Sequence, residues 1–272
     1  MNLQVFHNTT VLITGGSSGI GKAAAFLLAE QNCRLILVSE NQAALESVQD
    51  ELRKQFDSQV DIITIDLCRP GAGEDLFQRV KELDCRVDIL IYSAGVHSSS
   101  EKEYEEPASV RNLLQLHVVN MTEILLRWAV EMIKRKRGYI LTISSITSWF
   151  SDPASLIYGP SKSYISTFSR SLHCELKEHG IKVTCMKPGG VDTGFFSENS
   201  VYIPPFVQNH LLSPKACAQK GLQALARGRR SIIPGSAGKL QLLIYFIFMR
   251  PVFYKKMKQL YFKQKYTVRR EP

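Results

Sequence analysis

The amino-acid sequence predicts an α/β protein built on a doubly wound parallel sheet of about seven strands, with helices on both faces. Short apolar segments rich in β-branched residues alternate with longer segments of helical periodicity along most of the chain. The predicted strands are apolar throughout, which is typical of parallel strands buried on both faces. Their limits are 11–14, 34–39, 60–66, 87–93, 138–144, 182–188 and 231–233.

The predicted helices occupy the segments between these strands. Their limits are 19–31, 42–56, 74–83, 110–134, 158–179 and 214–227. The last helix has end signals, with Ser213 as its N-cap, Pro214 in its first turn and Gly228 just beyond its end. No repeat or linker interrupts the pattern before residue 238. We therefore expect one domain over residues 1–238 and a separate extension over residues 239–272.

Composition and cysteine spacing narrow the class of protein. The chain has 272 residues, of which 44% are hydrophobic and 22% charged, and this suits one large globular domain. Its six cysteines form no Cys-x-x-Cys pair, so we expect reduced thiols and no metal site. The first ten residues lack a basic cluster and a long apolar run. We therefore expect no signal peptide and a cytoplasmic location.

A glycine-rich turn follows the first predicted strand and precedes the first predicted helix. Glycines allow a sharp turn and a close approach of the backbone to a pyrophosphate. The following helix directs its free N–H groups and its positive dipole end at the anion. The turn is therefore a candidate phosphate-binding site. Its candidate contact residues are Thr14, Gly15, Ser17, Ser18, Gly19, Ile20 and Gly21.

A tyrosine and a lysine, Tyr158 and Lys162, begin the helix that follows the fifth predicted strand. Their spacing of four residues places them on one helix face, and Pro160 between them is tolerated only in a first turn. Ser145 comes directly after the fifth strand. A nearby ammonium group favours the phenolate and lowers the tyrosine pKa from about 10. The set is suited to moving a proton to or from a carbonyl or alcohol oxygen that Ser145 holds.

The order and spacing of these motifs resemble the short-chain dehydrogenase/reductase family across residues 9–235. The resemblance implies a Rossmann-type fold and a nicotinamide-dependent alcohol/ketone oxidoreductase that needs no metal. An Asn at the place of Asn120 joins the family's proton relay, so the expected catalytic residues are Asn120, Ser145, Tyr158 and Lys162. The further cofactor contacts that we expect are Ser39, Glu40, Asp66, Leu67, Ala94, Gly95, Tyr158, Lys162, Pro188, Gly189, Val191 and Thr193.

The chain departs from the family pattern after its fourth strand, and the role of Asp66 after the third strand is open. The family usually has Asn-Asn-Ala-Gly after its fourth strand, whereas this chain has Tyr92-Ser93-Ala94-Gly95. After the third strand, Asp66 either accepts a hydrogen bond from adenine or only stabilises a turn.

Charge at the end of the second strand bears on the choice of cofactor. In the family, the Asp of NAD-type members would fall at Ser39, and the Arg of NADP-type members would fall at Glu40. A carboxylate at Glu40 repels a 2′-phosphate, so NAD(H) is favoured. NADP(H) stays open as the alternative, with Lys22 or Arg34 compensating the charge of Glu40.

The apolar and aromatic segment 195–212 stands where the family keeps its substrate loop, which favours a small lipophilic alcohol or ketone. Steroid, 3-oxoacyl and 3-ketosphinganine-like molecules all fit this expectation. The alternative is a non-catalytic nucleotide-binding or membrane-surface protein that retains the fold.

The extension 239–272 contains nine basic residues and one acidic residue. Its apolar segment 240–249 is shorter than the roughly 20 residues that span a bilayer. Beyond it, one helical face carries Phe253, Met257, Leu260 and Tyr261. This pattern predicts a basic amphipathic tail in peripheral contact with a membrane. Packing on a partner subunit and a solvated helix are the alternatives. We expect no nucleic-acid partner, and the resemblance implies a homo-oligomer, a dimer or tetramer.

Overall fold

The computed structural model of the chain describes residues 3–149, 155–195, 211–236, 238–240 and 242–243. The expectations for residues 196–210 of the predicted substrate loop, and for nearly all of the tail 239–272, lie outside the described residues.

Seven parallel strands form a single sheet in the described part of the chain. In chain order they are β1 (Thr10–Thr14), β2 (Arg34–Ser39), β3 (Val60–Thr64), β4 (Ile89–Tyr92), β5 (Gly138–Ile143), β6 (Ile181–Met186) and β7 (Ser231–Ile232). Their order across the sheet is β3-β2-β1-β4-β5-β6-β7. This confirms the predicted doubly wound sheet. The order reverses between β1 and β4, so the crevice that binds ligands in such sheets lies at the carboxyl ends of these two strands.

Helices cover both faces of the sheet. In chain order they are α1 (Gly19–Ala29), α2 (Gln42–Phe56), α3 (Ala72–Glu82), α4 (Ser100–Glu105), α5 (Pro107–Leu114), α6 (Met121–Lys134), α7 (Tyr158–Lys177) and α8 (Pro214–Ala226). One apolar core lies between the sheet and α1, α2 and α8, and a second lies between the sheet and α3, α6 and α7. The apolar strands are therefore buried on both faces, as their composition predicts.

Local capping explains where several helices begin. The Oγ of Ser213 accepts a hydrogen bond from the N–H of Ala216 at 3.2 Å, and Pro214 occupies the first turn of α8. The prediction of this N-terminus is confirmed. In α2, the side chain of Asn41 accepts from the N–H of Ala44 at 3.0 Å. Both residues satisfy a backbone donor that the helix itself leaves without a partner.

The predicted helix 110–134 is divided into three parts. It consists of α5, a six-residue π-helical turn over Gln115–Asn120, and α6. The side chains of Leu116, His117 and Asn120 in this turn are buried. A π-helical turn widens the helix locally and changes which residues face inward. The apolar periodicity continues through the turn, so the sequence pattern gave no sign of it.

No helix among the residues that the structure describes has both the length and the apolar character needed to cross a bilayer. Nor do any three His, Cys, Asp or Glu side chains among them cluster in an arrangement suited to a metal ion. All six cysteines are free thiols.

Candidate active site

The glycine-rich turn packs directly against the end of β4. Gly15 and Gly19 adopt positive φ angles of 67° and 52°, which strongly favour glycine. A Cβ atom at Gly15 would lie 2.9 Å from the backbone N of Ala94, and a Cβ atom at Gly21 would collide with the carbonyl oxygen of Gly15. The Oγ1 of buried Thr14 accepts from the N–H groups of Ser93 and Ala94, each at 3.2 Å. Thr14 therefore holds the ends of β1 and β4 together.

The start of α1 fits a phosphate group. Ser18 is the N-cap residue of α1 by position, yet its side chain makes no capping hydrogen bond. The N–H groups of the first helical turn point out of the helix toward the crevice end of β1. Because Gly15, Gly19 and Gly21 lack side chains, the backbone itself forms the wall of this cradle. These residues fit the pyrophosphate of a dinucleotide.

The far end of the crevice, beyond β2, is acidic. Glu40 is exposed, and the Oδ1 of Asp66 accepts from the N–H of Cys68 at 2.7 Å, so Asp66 stabilises a turn. Burial, and next the negative charges of Asp66 and Glu40, raise the pKa of the Cys68 thiol to about 12. The carboxylates of Asp66 and Glu40 therefore both lie close enough to the Cys68 thiol to affect its pKa.

The two cations that could compensate Glu40 have other partners. Lys22 pairs with Glu51 at 2.9 Å, and Arg34 pairs with Asp61 at 2.9 Å. Between Glu40 and the glycine turn, the Oγ of Ser17 donates to the Oγ of Ser39 at 2.9 Å. Ser39 thus connects β2 to the turn.

Tyr158 and Lys162 lie together at the start of α7. The Nζ of Lys162 is 5.4 Å from the centroid of the Tyr158 ring and donates to the carbonyl oxygen of Ile143, at the end of β5, at 3.3 Å. Lys162 is only 4% exposed, and burial lowers the pKa of its ammonium group to about 8. The Oγ of Ser144 donates to the backbone oxygen of Lys162 at 2.7 Å, which fixes α7 against β5.

Ser145 follows β5 on the same edge of the sheet. Its Oγ accepts from the N–H of Thr147 at 3.1 Å, so the hydroxyl proton can be donated elsewhere. The next residue, Ile146, donates its N–H to the carbonyl oxygen of Pro188 at 3.0 Å. The segments after β5 and β6 are thereby joined beside Ser145.

The segment after β6 runs from Pro188 toward the glycine turn. Val191 forms a parallel bridge with Leu212, and Gly189 precedes this bridge. A Cβ atom at Gly19 would lie 3.2 Å from the Cγ2 of Thr193, so the two expected cofactor segments face each other across the crevice. The ring of Phe195 follows, 6.1 Å from the ring of Tyr158.

His117 belongs to this site, although the sequence analysis did not select it. It is fully buried, and its ring centroid is 5.9 Å from that of Tyr158. Its Nε2 accepts from the N–H of Val96 at 3.2 Å, so the proton of the neutral ring is assigned to Nδ1, which lies 2.9 Å from the Oγ of Ser161. Burial, and next the charge of Lys162, lower the pKa of His117 well below its usual value, so the ring is neutral.

The absence of a side chain at Gly95 leaves room for His117 and Lys162 to lie close together. A Cβ atom at Gly95 would lie 3.3 Å from the Nε2 of His117 and 3.3 Å from the Nζ of Lys162. Any larger side chain at this position would displace one of these nitrogens. The only sequence signal for His117 was a single histidine in an apolar helical segment.

Asn120 points to a different part of the fold. Its amide donates to the carbonyl oxygens of Leu67 and Arg69, both at 2.8 Å, and accepts from the Nε2 of Gln115 at 3.2 Å. These bonds attach the π-helical turn to the segment after β3. The structure thus directs the amide of Asn120 to this segment, whereas His117 from the same turn contacts α7.

One further ring contacts Tyr158, and the ring of Tyr92 holds the nearby end of β4 in place. The ring of His97 lies 4.9 Å from that of Tyr158, and burial lowers the pKa of His97 to about 4. Buried Tyr92 donates its hydroxyl to the carbonyl oxygen of Leu116 at 2.7 Å. Tyr92 therefore fastens the end of β4 to the π-helical turn, which explains how the departure from the family's Asn is accommodated.

Comparison with known proteins gives a consistent result. The family description "short chain dehydrogenase" matches residues 9–201. A very-long-chain 3-oxoacyl-CoA reductase-like protein of Arabidopsis thaliana is 31% identical over 229 residues, covering 82% of this chain and 72% of the relative. A 7beta-hydroxysteroid dehydrogenase of Clostridium sardiniense is 26% identical over 218 residues, covering 80% and 79%.

A solved structure extends the comparison to three dimensions. A short-chain dehydrogenase from Sphingobium yanoikuyae, described as a complex with NADPH, superposes with a TM-score of 0.77 at 26% identity. The superposition covers 86% of this chain and 92% of that one.

Proposed function

This chain belongs to the short-chain dehydrogenase family, and on that premise we propose that it transfers a hydride between a nicotinamide cofactor and a lipophilic secondary alcohol or ketone. The observation that carries the proposal is the position of Lys162. Its buried ammonium lies 5.4 Å from the ring of Tyr158, at the helix start beside the end of β5.

Tyr158, Lys162 and Ser145 have separate roles in the proposed proton transfer. When bound, the nicotinamide is the hydride carrier. Tyr158 gives its hydroxyl proton to the substrate oxygen during reduction and takes it back during oxidation. The ammonium of Lys162 stabilises the phenolate that forms when Tyr158 gives up its proton. Ser145 donates its hydroxyl to the same oxygen and orients it toward Tyr158.

The substrate that we propose is a ketone or alcohol on an extended apolar molecule. Steroid, 3-oxoacyl and 3-ketosphinganine-like compounds fit this description. Two relatives carry names that refer to 3-oxoacyl-CoA and hydroxysteroid chemistry. Phe195 and the half-buried ring of His97, both close to Tyr158, supply an apolar wall for such a molecule.

We propose NAD(H) as the preferred cofactor. Exposed Glu40 follows Ser39 at the end of β2, and a carboxylate there repels a 2′-phosphate. Lys22 and Arg34 are paired with Glu51 and Asp61, which leaves neither to neutralise Glu40. The solved structure described as an NADPH complex is 26% identical to this chain, so we do not infer a preference for NADPH from it.

The first test is a fluorescence titration of the purified protein with NADH and with NADPH. We expect NADH to bind more tightly, and tighter binding of NADPH would overturn the preference. If neither nucleotide binds, the oxidoreductase proposal fails and the non-catalytic alternative replaces it.

The second test measures turnover of a 3-oxoacyl-CoA, a 3-ketosteroid and 3-ketosphinganine. Tyr158→Phe is expected to remove at least about 99% of the activity, since general acid catalysis contributes roughly 10²-fold or more. The control is Tyr104→Phe, because Tyr104 is 77% exposed. Activity that survives Tyr158→Phe would disprove the assigned role.

We also propose peripheral membrane contact through residues 239–272, on the basis of their nine basic residues and apolar stripe. Co-sedimentation with anionic liposomes should be lost in a chain that ends at residue 238 and should weaken at high salt. Equal sedimentation of both chains would contradict this contact.

For the homo-oligomer, the proposed interface includes α6 and α7. Leu126 and Val130 on α6 are 46% and 51% exposed, and Tyr164 on α7 is 37% exposed. Leu126→Glu is expected to lower the mass measured by light scattering. An unchanged mass would place the interface elsewhere.

A further inference from the structure

A buried carboxylate holds the chain segment that leads into Tyr158. Glu103 lies in α4 and is 8% exposed. Its Oε1 accepts from the Oγ of Ser155 at 2.8 Å and from the N–H of Ile157 at 3.2 Å. Its Oε2 accepts from the N–H of Leu156 at 2.8 Å. One side chain thus binds three consecutive residues immediately before α7.

The hydrogen bonds continue to Tyr158 itself. The Oγ of Ser155 donates to Glu103 and accepts from the backbone N–H of Tyr158 at 3.0 Å. Ile157, the N-cap residue of α7, has an apolar side chain and makes no capping bond. Glu103 and Ser155 therefore satisfy the backbone donors of Leu156, Ile157 and Tyr158, just before and at the first residue of α7.

Charge strengthens this arrangement. A carboxylate near a helix N-terminus is stabilised by the helix dipole. Hydrogen bonds to an ionised acceptor are also about twice as strong as bonds between neutral groups. A neutral amide at position 103 would offer one acceptor oxygen in place of two.

Glu103 also connects two segments that border the reaction site. The segment after β4 carries His97 against the ring of Tyr158 and then enters α4. The segment before α7 carries Tyr158. Because Glu103 joins them, the position of the phenol depends on both segments at once.

We propose that Glu103 is a positioning residue for Tyr158, which it acts on through Ser155, Leu156 and Ile157. It fixes the start of α7 so that the phenol stays aligned with Ser145 and Lys162. This role rests on the proposed function of Tyr158 as the acid–base group. Misplacement of a reacting group by about 1 Å can cost roughly 100-fold in rate.

The first measurement does not depend on activity. The full chain is prepared with 3-fluorotyrosine at position 158, and its ¹⁹F NMR signal reports the surroundings of that ring alone. We expect one line in the otherwise unchanged chain, and a shifted or divided line in Glu103→Gln. The matched control is Glu105→Gln, which removes the same charge from an exposed residue of the same helix and should leave the line unchanged.

The second measurement separates kcat from nucleotide binding in chains with the natural tyrosine. Glu103→Gln should lower kcat about tenfold to a hundredfold, while the Kd for NADH changes less than about twofold. Glu103→Asp keeps the charge but shortens the reach, so an intermediate kcat is expected. If Glu103→Gln does not fold, Ser155→Ala tests the same connection, because it removes the hydroxyl that links Glu103 to Tyr158.

The outcomes are distinguishable. An unchanged ¹⁹F line in both Glu103→Gln and Ser155→Ala would overturn the proposal. So would a changed line accompanied by an unchanged kcat. If the native chain turns over none of the three test ketones, the proposed function fails, whereas the ¹⁹F comparison still decides whether Glu103 positions the ring.

Discussion

The Nδ1 atom of His117 lies 2.9 Å from the Oγ of Ser161, and this hydrogen bond joins the π-helical turn to the first turn of α7. Ser161 in turn donates to the backbone oxygen of Tyr158 at 2.8 Å. With the bond from Val96 to Nε2, the neutral imidazole connects the segment after β4 with the helix that carries Tyr158 and Lys162.

Replacement of His117 should therefore affect both stability and turnover. His117→Ala leaves the half-buried N–H of Val96 without its acceptor, at a cost of about 1–3 kcal/mol in unfolding free energy. We expect kcat to fall about tenfold, since α7 loses one attachment. Thermal unfolding and steady-state kinetics measure the two effects. The exposed His7→Ala serves as control, and equal behaviour of the two variants would contradict this role.

The buried ammonium of Lys162 should lower the stability of the folded protein, although the proposed reaction requires it. Burial lowers its pKa to about 8, so at pH 7 the folded protein holds an ammonium that is costly to bury. The pKa of Lys162 is lower in the folded state than in the unfolded state. Burial of Lys162 therefore costs no stability at high pH, where the amine is neutral in both states, and the cost is fully present once pH has fallen through about 8.

Lys162→Met is therefore expected to stabilise the nucleotide-free protein at pH 7, by up to about 3 kcal/mol, while removing activity. The advantage should shrink as pH approaches 10.5, the usual lysine value. Thermal melts from pH 7 to 10.5 check this, with Lys177→Met on the exposed surface of α7 as control. A lower melting temperature at pH 7 would refute the expectation.

Gly21 should be intolerant of any side chain. A Cβ atom there would collide with the carbonyl oxygen of Gly15, so Gly21→Ala must displace the glycine-rich turn. Binding of NADH, measured by fluorescence, should weaken at least about tenfold, since the cradle depends on close backbone approach. Gly71→Ala is the control, because a Cβ there meets nothing within 4 Å, although its φ of 75° adds local strain. Equal affinity of the two variants would count against this cradle.

Stability should decline below neutral pH partly because of His97. Burial lowers the pKa of this ring to about 4, whereas the unfolded chain has the ordinary value near 6.5. Between these two pKa values the unfolded state binds more protons than the folded state. The free energy of unfolding therefore decreases as pH falls from 6.5 toward 4 and is unaffected by His97 above pH 6.5. The melting temperature of His97→Gln should therefore depend less on pH between these limits than that of the native chain. His7→Gln should behave like the native chain. Parallel curves for His97→Gln and the native chain would disprove this linkage.

Most of the fold followed from local patterns in the sequence. The strand β2 (34–39) and the helix α2 (42–56) agree with their predicted limits. The start of α7 at Tyr158 was likewise predicted, from the proline that only a first turn tolerates. Such features depend on backbone sterics and apolar periodicity, which neighbouring residues encode.

The sequence by itself determined the sheet, the glycine-rich turn and the spacing of Tyr158 and Lys162. Only the tertiary structure decided which side chain of the π-helical turn meets α7, and it brings His117 there while Asn120 binds the segment after β3. It likewise brings Glu103 to the segment before Tyr158, more than 50 residues away along the chain. The physical reason is that the apolar pattern of the sequence continues unbroken through the π-helical turn, and one buried carboxylate leaves no mark on that pattern. The partners of these side chains are set by packing between distant segments.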